Sequence, residues 1–208
     1  ERTKTACRAG ADAVLLVTPY YNKTTQRGLI ASFTAIADES DVPCILYNVP
    51  ARTGLNMLPE TLAVLAKHEK ISAVKEASGS LSQIAKELLL CGDDLDVISG
   101  CDDQIVPTLS LGGKGVISVA ANVVPGETSD ICERFFRGDV KGAAKLQLRL
   151  LPLMNQLMIE TNPIPIKAAC AALGYGEYRL RMPLVPMEEG NRQTLLRIMA
   201  DLGMEVQA

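Results

Sequence analysis

The sequence holds a single histidine, His68, inside the charged stretch Lys67 to Lys70. A surface role is expected for it, which excludes a histidine-based metal site and a Ser-His-Asp triad. The six cysteines, Cys7, Cys44, Cys91, Cys101, Cys132 and Cys170, form no Cys-x-x-Cys pair. Such spacing argues against a disulfide framework and predicts reduced thiols in apolar surroundings. No apolar run approaches the ~20 residues needed to span a bilayer, and Glu1 to Lys4 lack the basic head and apolar body of a signal peptide. A soluble, cytoplasmic protein without a membrane partner is expected. Clustered positive charge is missing too. The 21 basic and 24 acidic residues leave a formal charge of -3, with no basic run to neutralise a phosphate backbone, so nucleic acid is excluded as a partner.

What is present is apolar material for one sizeable core, 48% of 208 residues. Short β-rich runs recur at Ala13 to Val17, Pro43 to Tyr47, Ile71 to Lys75, Leu95 to Ser99 and Gly115 to Val119. Between them lie helical stretches. Thr24 to Glu39 carries Leu29, Phe33, Ile36 and Ala37 at i, i+4, i+7 and i+8, and shorter helices are predicted over Pro59 to Lys67, Leu81 to Leu90 and Gln104 to Leu111. The alternation means parallel βαβ units. After Pro125 the β pattern stops, and helices are predicted over Glu127 to Arg137, Val140 to Met158, Pro165 to Leu173 and Gly190 to Leu202. The expected division is a β/α portion over residues 1–125 and a helical portion over residues 126–208. Periodicity alone fits both a partial (β/α)8 barrel and an open doubly wound sheet. No glycine-rich phosphate loop follows the first run, however, and Gly112, Gly113 and Gly115 precede a strand rather than open a helix.

In either parallel architecture functional side chains gather at the carboxyl ends of strands. Lys75 closes an apolar run. If desolvated there, its amine is freed to attack a carbonyl, although the same position also suits a lysine reaching out to solvent. Tyr47 ends the second run and reads either as a proton shuttle or as a packed aromatic. Arg52, just beyond, can hold a carboxylate through two parallel hydrogen bonds or be a solvated loop charge. Tyr20 and Tyr21 are adjacent, so in an extended chain they point apart and at most one need serve a pocket. Asp93-Asp94 and Asp102-Asp103 flank strands beside helix starts, which favours capping and solvation over metal binding.

Taken together, Val17-Thr18-Pro19-Tyr20-Tyr21-Asn22, Tyr47-Asn48-Val49-Pro50-Ala51-Arg52-Thr53-Gly54, Val74-Lys75-Glu76-Ala77-Ser78-Gly79, Ser99-Gly100, Gly112-Gly113-Lys114-Gly115-Val116-Ile117-Ser118, Ala121-Asn122-Val123 and Asn162-Pro163-Ile164-Pro165-Ile166-Lys167 resemble the dihydrodipicolinate synthase family. That family belongs to the N-acetylneuraminate lyase group of pyruvate-dependent aldolases, and the resemblance runs along essentially the whole chain. It implies a (β/α)8 TIM barrel, here strands four to eight, followed by a helical region.

The resemblance also implies roles. Lys75 matches the lysine that forms an imine with pyruvate, and Tyr47 the tyrosine that relays protons. Tyr21 resembles a relay tyrosine reaching into a neighbouring subunit's site, while Tyr20 matches one at the tight dimer interface and the lysine-inhibitor site. Arg52 matches the arginine that holds the carboxylate of the incoming aldehyde, and Gly100, Ile117 and Asn162 match positions lining the pocket. The implied reaction condenses pyruvate with L-aspartate 4-semialdehyde to 4-hydroxy-tetrahydrodipicolinate, in the lysine and diaminopimelate route, without metal or organic cofactor. A homo-oligomer, a dimer of dimers, is implied as well.

Arg52-Thr53-Gly54 favours the synthase over sialic-acid lyases, which usually replace that arginine. Other class I pyruvate aldolases of the group and a catalytically inactive paralogue stand as alternatives. Cys101 departs from the acidic residue often found after the glycine at Gly100. Family members also carry, before the position of Glu1, three barrel strands and a threonine pair that binds pyruvate's carboxylate. From their absence in this sequence, the expectation is that additional polypeptide supplies those strands or that another segment fills the gap, since open sheet edges and an exposed barrel interior invite aggregation.

Overall fold

The computed structural model describes residues 1–207. The chain forms two compact units, Glu1–Ile117 and Ser118–Ala208.

The first unit carries helix α1 (Arg2–Arg8), strand β1 (Val14–Val17), α2 (Gln26–Asp38), β2 (Cys44–Asn48), α3 (Pro50–Thr53), α4 (Pro59–Leu65), β3 (Ile71–Glu76), α5 (Leu81–Cys91), β4 (Asp96–Ser99), α6 (Ile105–Ser110) and β5 (Gly115–Val116). All five strands pair in parallel and in sequence order, β1 to β5, which is the strand succession of a (β/α)8 barrel.

Local chemistry sets where the helices begin and end. Thr25 opens α2, its hydroxyl accepting the Gly28 N–H at 3.2 Å, and Ser80 opens α5 by accepting that of Gln83 at 3.2 Å. Pro59 occupies the first turn of α4. The short α3 stops at Gly54, whose φ of +64° lets its N–H return to the Pro50 carbonyl at 2.8 Å.

Strand alternation then sorts the side chains into two layers. Leu16, Leu46, Val74 and Val97 stand in one cross-strand row on the helix-facing side. Leu46, Val74 and Val97 are at most 1% exposed and pack with Leu29, Phe33, Leu62, Leu65 and Ile84 from the helices. Each such side chain stabilises the fold by about 1.5–3 kcal/mol relative to exposure. The next row, on the opposite side, is Val17, Tyr47, Lys75, Ile98 and Gly115. The fold thus delivers Tyr47 and Lys75 side by side to the face that helices do not cover.

β5 was expected to run from Gly115 to Val119, but it closes at Val116. Beyond it the chain turns, with the Ser118 hydroxyl accepting the Ala121 N–H at 2.9 Å. His68 is less exposed than a pure surface role implies. It bridges the end of α2 to the start of β3, one ring nitrogen 3.0 Å from Asp38 and the other accepting the Lys70 N–H. All six cysteines are free thiols, Cys44 and Cys91 buried.

The second unit is helical: α7 (Pro125–Phe136), α8 (Val140–Gln156), α9 (Ile164–Ala172) and α10 (Glu189–Asp201). Asp139 caps α8 by accepting the Gly142 N–H at 2.9 Å. Ile131, Leu150, Leu153, Leu157, Ala169, Leu195 and Met199 are buried in its core. The Tyr178 hydroxyl accepts from the Met187 N–H at 2.7 Å and donates to the Ile164 carbonyl at 3.3 Å, tying the segment before α10 to α9. Among the described residues, no helix is long and apolar enough to cross a membrane.

Candidate active site

Tyr47 and Lys75 are direct register partners across β2 and β3. The Lys75 ammonium nitrogen lies 4.4 Å from the centroid of the Tyr47 ring. Lys75 is half-buried, and that burial pulls its pKa below the ordinary lysine range; the nearby Arg52 cation acts in the same direction, while Asp102 and Cys101 act against it. A lysine so placed releases its proton at lower pH than one in water, which is the requirement for a carbonyl nucleophile. Burial moves the Tyr47 phenol upward, opposed by Arg52, so it keeps its proton and can donate it.

The strand ends holding these groups are tied to one another. Beyond β3 the Ala77 N–H donates to the Asn48 carbonyl at 2.9 Å, the Gly100 N–H to the Glu76 carbonyl at 2.7 Å, and the Ile117 N–H to the Ser99 carbonyl at 2.9 Å. Gly100 packs so closely that a β carbon there would sit 3.2 Å from Lys75 Cε and 3.1 Å from the Glu76 carbonyl oxygen. Only a glycine leaves the lysine stem its space. Arg52 is exposed on α3, whose position is set by buried Thr53: the Thr18 hydroxyl donates to Thr53 Oγ1 at 3.2 Å. Lys75, Tyr47, Arg52, Gly100 and Ile117 thus share one rim of the sheet.

Tyr20 and Tyr21 follow β1 and are 70% and 92% exposed, so neither packs within this unit. Asn162 belongs to the second unit. It lines a cavity of about 440 Å³ together with Asn122, Ile166, Lys167 and Cys170.

Reading the residues for chemistry missed the layer behind the rim. Glu76, adjacent to Lys75, is 1% exposed and accepts the Ser78 N–H at 2.6 Å and the Asn48 side-chain amide at 2.9 Å. Glu87 on α5 is fully buried. One signal was available: Glu87 stands between Ile84 and Cys91 on the stripe that otherwise faces the core. Asp93, Asp94, Asp102 and Asp103 gather no metal set, and among the described residues no three or more His, Cys, Asp or Glu side chains are grouped to hold an ion. Asp94 instead pairs with Lys67 at 2.6 Å.

Comparison with known proteins shows the family. Residues 1–202 match the dihydrodipicolinate synthetase family. The 4-hydroxy-tetrahydrodipicolinate synthase of Caldicellulosiruptor saccharolyticus is 53% identical over 204 residues, which cover 98% of this chain and 69% of that protein. That of Geobacter sulfurreducens is 52% identical over 201 residues, 97% of this chain and 69% of the relative. Among solved structures, the dihydrodipicolinate synthase of Thermotoga maritima superposes with a TM-score of 0.95 at 41% identity, covering 97% of this chain and 70% of its own. The chloride-inhibited enzyme of Acinetobacter baumannii, complexed with pyruvate, gives 0.94 at 39% identity, covering 97% and 69%. The chain belongs to the dihydrodipicolinate synthetase family.

Proposed function

We propose that the protein condenses pyruvate with L-aspartate 4-semialdehyde to 4-hydroxy-tetrahydrodipicolinate, acting as a class I, Schiff-base lyase in lysine and diaminopimelate biosynthesis. The observation that carries this reading is a half-buried lysine amine at a strand end, 4.4 Å from the ring of the tyrosine in register with it, where burial favours the neutral forms of both groups.

The neutral Lys75 amine adds to the ketone of pyruvate, and loss of water leaves an imine whose protonated nitrogen draws electrons from the adjacent methyl group. Loss of a methyl proton yields an enamine. Its carbon attacks the aldehyde, forming the new carbon–carbon bond. The substrate's own amino group then adds to the imine carbon, closes the ring and displaces Lys75. Tyr47 donates and recovers the protons of imine formation and release. Arg52 holds the carboxylate of the semialdehyde by charge-assisted hydrogen bonds.

Gly100 and Ile117 line the substrate pocket in this reading, and Asn162, in the second unit, keeps the substrate-binding role that the family resemblance implies for it. Tyr21, exposed here, is the relay residue offered to a neighbouring subunit, and Tyr20 lies at that same contact, where an inhibitor site is also formed. Two adjacent aromatics at 70% and 92% exposure support an intersubunit role, and we assign a homotetramer built as a dimer of dimers, working in the cytoplasm.

Incubation with pyruvate followed by borohydride should reduce the imine and add one covalent label, at Lys75. Labelling of another residue, or none in a folded sample, refutes the assignment.

A further inference from the structure

Behind the rim, two carboxyl groups are buried against each other. Glu76 leaves β3 on the helix side, opposite to Lys75, and Glu87 meets it from α5, the two carboxyls sharing the Gln83 side-chain amide as their donor. Their other partners differ. Glu76 accepts from the Ser78 N–H, from the Asn48 amide and, at 3.3 Å, from Gln83 Nε2, the surroundings of a carboxylate. Glu87 Oε1 accepts from the same Gln83 nitrogen at 2.9 Å, whereas Glu87 Oε2 is buried and faces no donor. An oxygen without a donor next to a carboxylate is where a proton belongs, because two buried anions in contact would repel. Burial and the Glu76 charge push Glu87 up to about 9, in the same direction as the geometry.

This pair sits at the root of a network that reaches the active-site strands. Asn48, the residue after Tyr47, donates from one amide nitrogen to Asn56 at 2.8 Å and to Glu76 at 2.9 Å, and its oxygen accepts the Met57 N–H at 2.9 Å. Asn56 donates to Gln83 at 2.8 Å, and Gln83 spans Met57, Glu76 and Glu87. The hydrogen bonds from Asn56, Met57 and Glu76 to α5 run through Gln83.

We propose that Glu87 is a positioning residue: it donates a hydrogen bond from Oε2 to the Glu76 carboxylate, and the acid pair, through Gln83, Asn56 and Asn48, holds Tyr47 and Lys75 in register for imine formation. The role in imine formation rests on the proposed function; the shared proton does not. Facing Glu87 are Glu76 from β3 and the Cys91 thiol on its own helix, which donates to the Glu87 backbone carbonyl. The basic side chains of this layer, Lys67 and Lys86, are exposed and paired with Asp94 and Glu60, so neither neutralises the pair.

The proton has a thermodynamic signature. A carboxyl whose folded pKa lies above its unfolded value binds a proton in the native state that the unfolded chain has released, so stability falls as pH rises between about 4.5 and about 9. Glu87→Gln keeps the shape and an N–H donor but cannot titrate. Melting temperature should therefore fall with pH in the wild type, relative to Glu87→Gln, across pH 5 to 8.5, corresponding to about one proton released on unfolding. Parallel pH profiles for the two proteins overturn the shared proton.

For positioning, acylation of Lys75 by acetic anhydride, which transfers an acetyl group and releases acetate, followed by peptide mass spectrometry as a function of pH, needs no pyruvate. Glu87→Ala should shift that profile and slow pyruvate–borohydride trapping tenfold or more, and Glu87→Gln should restore both. An unshifted profile in the alanine variant overturns the positioning role. If Glu87→Ala does not fold, Gln83→Ala, which cuts the same link one residue away, is read in its place. Wild-type protein that acylates normally yet never traps pyruvate refutes the proposed function while leaving the acid pair to the melting data.

Discussion

Gly100→Ala tests whether the tight joint between β3 and β4 governs the reactive lysine. An added β carbon would meet Ala77 Cβ at 2.6 Å, the Glu76 carbonyl oxygen at 3.1 Å and Lys75 Cε at 3.2 Å. Carbon atoms pack best at about 3.5–4.0 Å, so the first contact is roughly an ångström too short. The Ala77 β carbon can move only with its backbone, so the joint held by the Gly100 N–H bond at 2.7 Å must open, while the lysine stem has to give by only a few tenths of an ångström. Overpacking of this kind costs about 1–3 kcal/mol, or about 2–12 °C of melting temperature for a chain of this size. Opening the joint also moves the strand end that carries Lys75, and trapping should slow, with on the order of 10²-fold as the upper end if the amine is displaced by about 1 Å. Gly126→Ala is the control: nothing lies within 4 Å of a β carbon there, and the position is helical, so stability should rise slightly. The assay pairs thermal melts with the rate of pyruvate–borohydride trapping. Gly100→Ala protein that melts and traps like the wild type would show that the joint is not tight.

Two further substitutions separate the assigned roles. Tyr47→Phe keeps the ring beneath the Lys75 ammonium and removes only the hydroxyl, so turnover should fall roughly 10²-fold or more while stability changes little; near-normal turnover removes the relay role. Arg52→Ala should weaken aspartate semialdehyde by about 1.5–3 kcal/mol and leave pyruvate nearly unaffected, as read from steady-state kinetics with each substrate varied in turn; equal weakening of both contradicts the assignment.

Much of the first unit was legible because its elements obey simple periods. The stripe Leu29, Phe33, Ile36 and Ala37 marked α2; Leu29, Phe33 and Ala37 are buried, and Ile36 is partly exposed. The apolar run into Lys75 marked the end of β3. Elements that bury nothing or are very short escaped. Helix α1 has no buried residue, so it offers no stripe to read, and α3 is a four-residue turn between Pro50 and Thr53. The Glu76–Glu87 contact was illegible for another reason. It joins a strand end to the middle of the following helix, and nothing in the spacing of two glutamates tells that packing will bring them together in a dry layer.

The alternation along β3 places Lys75 and Glu76 one residue apart yet on opposite sides of a single-layer wall. Insertions are tolerated where a loop can absorb them, but a strand counts in twos. Removing one residue within Ile71–Glu76 would carry the amine into the apolar layer and the acid into the reaction chamber, so in this segment length itself is under constraint. Substitutions on the chamber side can accumulate one at a time and retune the choice of aldehyde, while the helix side is locked by partners on β2 and α5. Variation in specificity among such proteins should therefore arise through exchanges at fixed length, with insertions confined to the connections beyond the strand ends.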